Sequence, residues 1–237
     1  MTGWMREALE VSGLGATVDF PRDLVVEASA ALPVTRVLLQ QLTSAHVAHW
    51  CASRGIPTNP SGPDRVLHGA IVARFGNAVI FIDANDDVAE QLYSFGHELA
   101  HFIIEDLMTR ARALRVLGEG IRPVLDGMRP ATPEERISSV LTRVSLDTRT
   151  HLMARTSAGR VCTWAVDDAE RMADDLALEL LAPRARVRSL LRGVDAPLAA
   201  IEVQRGFGLP ASVAAVLVEA LNPKPRSPST LDLLNLE

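Results

Sequence analysis

His97-Glu98-Leu99-Ala100-His101 sets two imidazoles four residues apart with an acid between them. On a helix, residues four apart lie one turn apart on one face, so both rings can grip a single ion. The intervening Glu98 projects close to that face, within reach of a water activated by the metal. It can take a proton from that water and later deliver it to a leaving amine. Catalytic zinc usually takes three protein ligands and keeps one position open. Two histidines therefore need a third donor. Glu170-Arg171-Met172-Ala173-Asp174 places two carboxylates one turn apart on a later helix. Glu170 reads as the ligand, and Asp174 as the acceptor that fixes the free N–H of a ligating histidine. The competing reading has Glu170 capping its own helix or facing solvent.

Other residues could join this chemistry. Cys162 lies eight positions before Glu170, and its thiolate could fill the open metal position; the plainer alternative is a small buried hydrophobe. Tyr93, His151 and His68 are candidates to stabilise the oxyanion of a tetrahedral intermediate, and spacing does not choose among them. Tyr93 precedes His97 by one turn and could instead support the helix.

These groups need elements to hold them. Asp87 with Glu90 makes a capping box that opens a helix over 88–106, with Leu92, Phe95, Leu99, Phe102 and Ile103 as its apolar face. Before it, 66–83 is rich in β-branched residues and broken at Gly76-Asn77, which predicts two antiparallel strands joined by a tight turn. Residues 35–53 carry apolar side chains at helical spacing, and Gly55 stops them. The first thirty residues are weakly patterned, with a short helix near 4–10 and a break at Phe20-Pro21. Residues 107–126 look helical but are interrupted by Gly118, Gly120 and Pro123. Thr132-Pro133-Glu134-Glu135 is a strong helix start. Two strands are expected at 151–155 and 160–166, then a helix over 168–181 ended by Pro183. Short helices follow near 196–204 and 211–221. The second offers no base-reading Arg, Lys, Asn or Gln, so the pair reads as packing rather than a DNA-binding helix-turn-helix. A Pro/Ser linker and a leucine-rich tail close the chain.

Composition bounds the function. The 237 residues are 48% apolar and 22% charged with a net charge of −5, which suits a folded protein and argues against one that coats nucleic acid. Within 107–160, ten Arg oppose five acids, a local balance of +5 inside an acidic chain. Arg110, Arg112 and Arg115 are therefore candidate contacts to an acidic partner or a nucleic-acid inducer, with a solvated surface as the alternative. Two cysteines, Cys51 and Cys162, make no disulfide framework. No signal peptide and no membrane span are evident, so a cytoplasmic location is expected.

The pairing of His97-Glu-Leu-Ala-His-Phe102 with Glu170-Arg-Met-Ala-Asp-Asp-Leu-Ala-Leu-Glu-Leu-Leu-Ala-Pro183 resembles the ImmA/IrrE family of metallopeptidases. Ala173, Ala177, Glu179, Leu180, Leu181 and Pro183 match that family's second motif. Asp174 stands where the family usually has Asn, and is similar to the Glu-x-x-x-Asp pattern of thermolysin-like enzymes. Leu176 replaces a Phe and Ala182 a Met. The spacing from His101 to Glu170 is 69 positions (170 − 101), because an Arg-rich segment is inserted where relatives are often shorter.

The resemblance implies an α+β, zincin-like fold: a small antiparallel sheet on the HExxH helix, a second helix carrying Glu170, and a helical C-terminal subdomain. The expected organisation is an N-terminal segment at 1–34 and a peptidase domain from 35–106 and 163–193. An insertion at 107–162, a helical subdomain at 194–221 and a flexible tail at 222–237 complete it. It further implies one zinc per chain and cleavage of a separate helix-turn-helix repressor, releasing genes of a mobile element, a stress response or a defence system. The rival function is a zinc-site sensor that sequesters a repressor without cutting it.

Overall fold

The computed structural model describes residues 2–15, 19–56, 63–142, 144, 146 and 164–221. The chain is α+β and mostly helical, with one small sheet. Two helices open it, α1 (Gly3–Ser12) and α2 (Leu24–Ala31), followed by β1 (Val34–Leu39) and α3 (Ser44–Ala52). A hairpin of β2 (Gly69–Arg74) and β3 (Asn77–Asp83) leads into α4 (Val88–His101).

The expected helix over 35–53 is corrected. Its first half is strand β1, which pairs parallel with β3, and only its second half is helical. Val34, Thr35 and Val37 are β-branched and favour the pleated surface. Thr43 then starts the helix by accepting a hydrogen bond from the His46 amide. The antiparallel sheet expected from the hairpin is accordingly a mixed one of order β1-β3-β2.

The hairpin turn is Phe75-Gly76, one position earlier than expected, with both residues left-handed (φ 54° and 75°). Such a turn matches strand twist but is costly for phenylalanine. The Phe75 ring is held against Gly127, where any Cβ would collide with it.

Alternation along the strands builds two layers of core. Ile71, Ala73, Ala78, Ile80 and Ile82 face α4 and the long α8 (Trp164–Leu181), while Ala70, Val72 and Phe81 face Val47 and Cys51 of α3. Met5, Ala8, Leu24 and Ala28 from the first two helices join the larger core. Helix α8 buries Ala173, Leu176, Ala177, Leu180 and Leu181, the i, i+3, i+4 stripe of an amphipathic helix. Residues 164–166, expected as strand, open this helix. The remaining residues of the two strands expected at 151–155 and 160–166, and the tail at 222–237, lie outside the described residues.

Helix α4 runs on through a π-helical turn, Phe102–Leu107, into α5 (Met108–Leu117). After α6 (Arg122–Leu125) comes α7 (Pro133–Thr142), whose capping box is complete. Thr132 Oγ1 accepts from the Glu135 amide, and the Glu135 carboxylate accepts from the Thr132 amide. Ala113, Ile121, Val124, Leu125 and Val144 form a small core of their own.

After α8, Pro183 leads into α9 (Arg184–Leu190), a helix the sequence pattern did not reveal; α10 (Ala199–Phe207) and α11 (Ala211–Leu221) follow. Among the described residues no helix is long and apolar enough to cross a membrane.

Candidate metal centre

The Asp87 carboxylate accepts from the Glu90 amide and starts α4 in the register that aims residues 93, 97 and 101 at α8. The two helices approach closely because position 96 is glycine. A Cβ there would sit 3.0 Å from Leu181 Cδ1. That contact brings α8, and with it Glu170, against the histidine face.

The three candidate ligands converge. His97 Nε2 lies 3.1 Å from His101 Nε2 and 3.3 Å from Glu170 Oε2, and His101 Nε2 is 3.7 Å from Glu170 Oε1. A tetrahedral ion with bonds of about 2.0–2.1 Å separates its ligand atoms by about 3.3 Å. The donor set therefore suits a small divalent cation: two nitrogens, with the two oxygens of one carboxylate each near one of them, the ligand atoms all within 4.8 Å of one another. Among the described residues these three form the one group of His, Cys, Asp and Glu able to hold a metal ion.

Both outer nitrogens face carboxylates. His97 Nδ1 is 2.9 Å from Asp174 Oδ1, and His101 Nδ1 is 2.9 Å from Glu105 Oε1. An ionised carboxylate only accepts, so each ring carries its hydrogen on Nδ1 and turns the Nε2 lone pair inward. Asp174 thus stands where the sequence placed it. Glu105 was missed, although His101 and Glu105 are four apart and the spacing alone could have flagged the pair.

Glu98 is 1% exposed, and its side chain rests on β2 at Gly69. A Cβ at 69 would lie 3.1 Å from Glu98 Cγ and 3.2 Å from Oε1, so this strand glycine makes the niche that the acid occupies. A glycine opening a buried strand is the signal that could have found it.

The other sequence candidates are distributed differently. Tyr93 is buried, and its hydroxyl donates to Asp174 Oδ1 at 2.9 Å, so it bears on a partner of the metal site rather than on a substrate oxygen. His68 pairs with Asp86 at 2.8 Å, tying the start of β2 to the loop before α4. His151 and Cys162 lie outside the described residues. Arg110 pairs with Asp126 beside the hairpin turn, and Arg115 pairs with Glu7 of α1 at 2.9 Å, whereas Arg112 is exposed. Arg112 and Arg115, three apart on α5, are both exposed.

Comparison with protein-family models, with curated proteins and with solved structures found no match. The geometry stands alone.

Electrostatics at the centre link it to pH. Burial pulls His101 toward the neutral form, but the Glu105 and Glu170 carboxylates and the charge of Glu98 outweigh it and raise its pKa to about 10. His97 is likewise desolvated, yet Asp174, Glu170 and Glu98 raise it above its ordinary value. Hydrogen bonds from His101 and His97 hold Glu170 well below the usual carboxylate range.

Without metal, then, a proton sits among these ligands at neutral pH, and a cation must displace it. The raised His101 contributes stability that is complete below 6.5, its ordinary value, and lost as pH climbs through about 10. The lowered Glu170 contributes stability that is present above 4.5, its ordinary value, and lost as pH falls through its depressed value. The chelator-treated protein is expected to lose melting temperature from about pH 6.5 to 10, more than a His101→Gln variant does. Metal affinity should rise over the same range as proton competition fades. Melting curves flat across that range, or identical for the two proteins, would contradict the assignment.

Proposed function

We propose that this chain is a zinc-dependent endopeptidase of the ImmA/IrrE kind that cuts a separate helix-turn-helix repressor in the cytoplasm. The switch it serves would be a stress, mobile-element or defence response. The observation that carries the reading is the return of Glu170, 69 positions after His101, to within 3.3 Å and 3.7 Å of the two imidazole nitrogens. Nothing local to the HExxH helix dictates that convergence. The hairpin laid against α4, with the acid on α8 completing the ligand set, supports a zincin-like arrangement.

Bound there, zinc would supply a Lewis acid that acidifies water and polarises a peptide carbonyl. The chain's own groups do the rest. His97 and His101 present inward lone pairs, held by Asp174 and Glu105. Glu98, dry and lodged against Gly69, accepts a proton and returns it to the departing amine. Glu170 is about one-third exposed (31%) while both histidine side chains are 2% exposed, so on this reading a peptide reaches the metal from the Glu170 side.

A nucleic-acid inducer acting through the basic segment draws less support, because Arg110, Arg115, Arg122 and Arg129 each pair with an acid. The test is incubation of zinc-loaded protein with a candidate helix-turn-helix repressor, followed by mass spectrometry. Two complementary fragments absent from the chelator-treated control are expected. An intact repressor held in a stable complex would replace this reading with the sequestering sensor.

A further inference from the structure

Tyr93 and His97 are four apart on α4, and Glu170 and Asp174 are four apart on α8, so each helix offers one pair on the face it turns to the other. The two pairs interlock. His97 meets Glu170 through Nε2 at 3.3 Å and Asp174 through Nδ1 at 2.9 Å, while Tyr93 donates its hydroxyl to the same Asp174 Oδ1. One carboxylate oxygen thus serves a phenol and a ligand imidazole together.

We propose that Tyr93 is a positioning residue of the metal centre: its hydroxyl holds Asp174 in the orientation that fixes the His97 ring. This rests on the reading of His97, His101 and Glu170 as a metal centre.

The need for such an anchor follows from exposure. The Asp174 side chain is 45% exposed, and a half-solvated carboxylate otherwise spreads over several rotamers. Tyr93 is 3% exposed, fixed by the core around it, and a buried phenol hydroxyl requires an acceptor. The O–H···O⁻ bond is charge-assisted, and therefore stronger and more directional than a neutral one. Tyr93 reaches Asp174 from the rigid side of the interface, one turn below the ring that Asp174 orients. Because Glu170 lies one turn away on the same face of α8, pinning Asp174 also limits the rotation of that helix that would carry Glu170 away.

The experiment uses the full-length protein as Tyr93→Phe, Asp174→Ala and the double variant. Zinc affinity is measured by competition with a chromophoric chelator, and the visible absorption of the cobalt-loaded forms reports ligand geometry. Phenylalanine keeps the ring and its burial, so melting temperature should change little. Tyr93→Phe is expected to weaken zinc binding roughly tenfold, the lower end of the 10–100-fold range for residues behind a ligand. It should also alter the cobalt spectrum. In the Asp174→Ala background the same change should cost nothing further, because the group through which it acts is gone.

Wild-type affinity and spectrum in Tyr93→Phe would overturn the proposal. So would an equal loss in both backgrounds, which would mean that tyrosine acts through the fold alone. A wild-type chain that takes up no zinc would instead overturn the metal centre itself, and this role with it.

Discussion

Glu98→Gln is expected to abolish repressor cleavage while leaving zinc content and melting temperature nearly unchanged. The amide has the shape of the carboxylate and fits the niche that Gly69 leaves for it. It cannot accept the proton, a function that typically contributes about 10²–10⁴-fold to rate. The group that could hold a metal ion is His97, His101 and Glu170, so the substitution removes none of these donors. Single-turnover cleavage read by mass spectrometry separates the outcomes. Wild-type turnover would rule out Glu98 as the proton acceptor. Loss of both zinc and turnover would show that the residue supports the metal and would leave its chemical role undemonstrated.

Arg22→Ala should produce the largest loss of stability. The residue is 4% exposed, and its guanidinium pairs with Glu27 at 2.6 Å and donates to the carbonyls of Leu14 and Leu180 at 2.7 Å and 3.0 Å. The Leu180 carbonyl belongs to the last turn of α8, where carbonyls lack helical partners, so Arg22 satisfies that end and ties the N-terminal helices to it. Removing it strands the buried Leu14 and Leu180 carbonyl oxygens and leaves the partly exposed Glu27 without this partner, at a cost of about 1–3 kcal/mol for each buried oxygen left unpaired. Chemical denaturation of the metal-free protein measures the change, and a loss under about 1 kcal/mol would show that water replaces these bonds without penalty.

Arg22 also shows where the sequence was silent. An arginine at the end of a weakly patterned stretch carries no mark of burial, because its partners Leu14 and Leu180 are defined only by tertiary packing. The HExxH helix, its Asp87 cap and the Glu170/Asp174 pair were legible, because each rests on periodicity or on short-range hydrogen bonding. The hairpin was legible for the same reason. Strand β1 was not. Its Val37 and Leu38, together with Leu42 and Val47, satisfy helical spacing as well as a strand followed by a helix, and only pairing with β3 decides between them. Gly69 and Gly96 matter for what they lack, space that becomes visible once Glu98 and Leu181 are in place. Glu105 lies within the i, i+4 rule of His101, but it falls beyond the HExxH motif, which carries no mark for it.

His97, His101 and Glu170 are expected to share one zinc ion. Elemental analysis of the purified chain and of Glu170→Ala, each dialysed against the same weak chelator, tests it most directly. About one zinc per chain in the wild type is expected, with most of it lost from a variant that keeps the wild-type circular dichroism. Full occupancy in Glu170→Ala, or no zinc in the wild type, would contradict it.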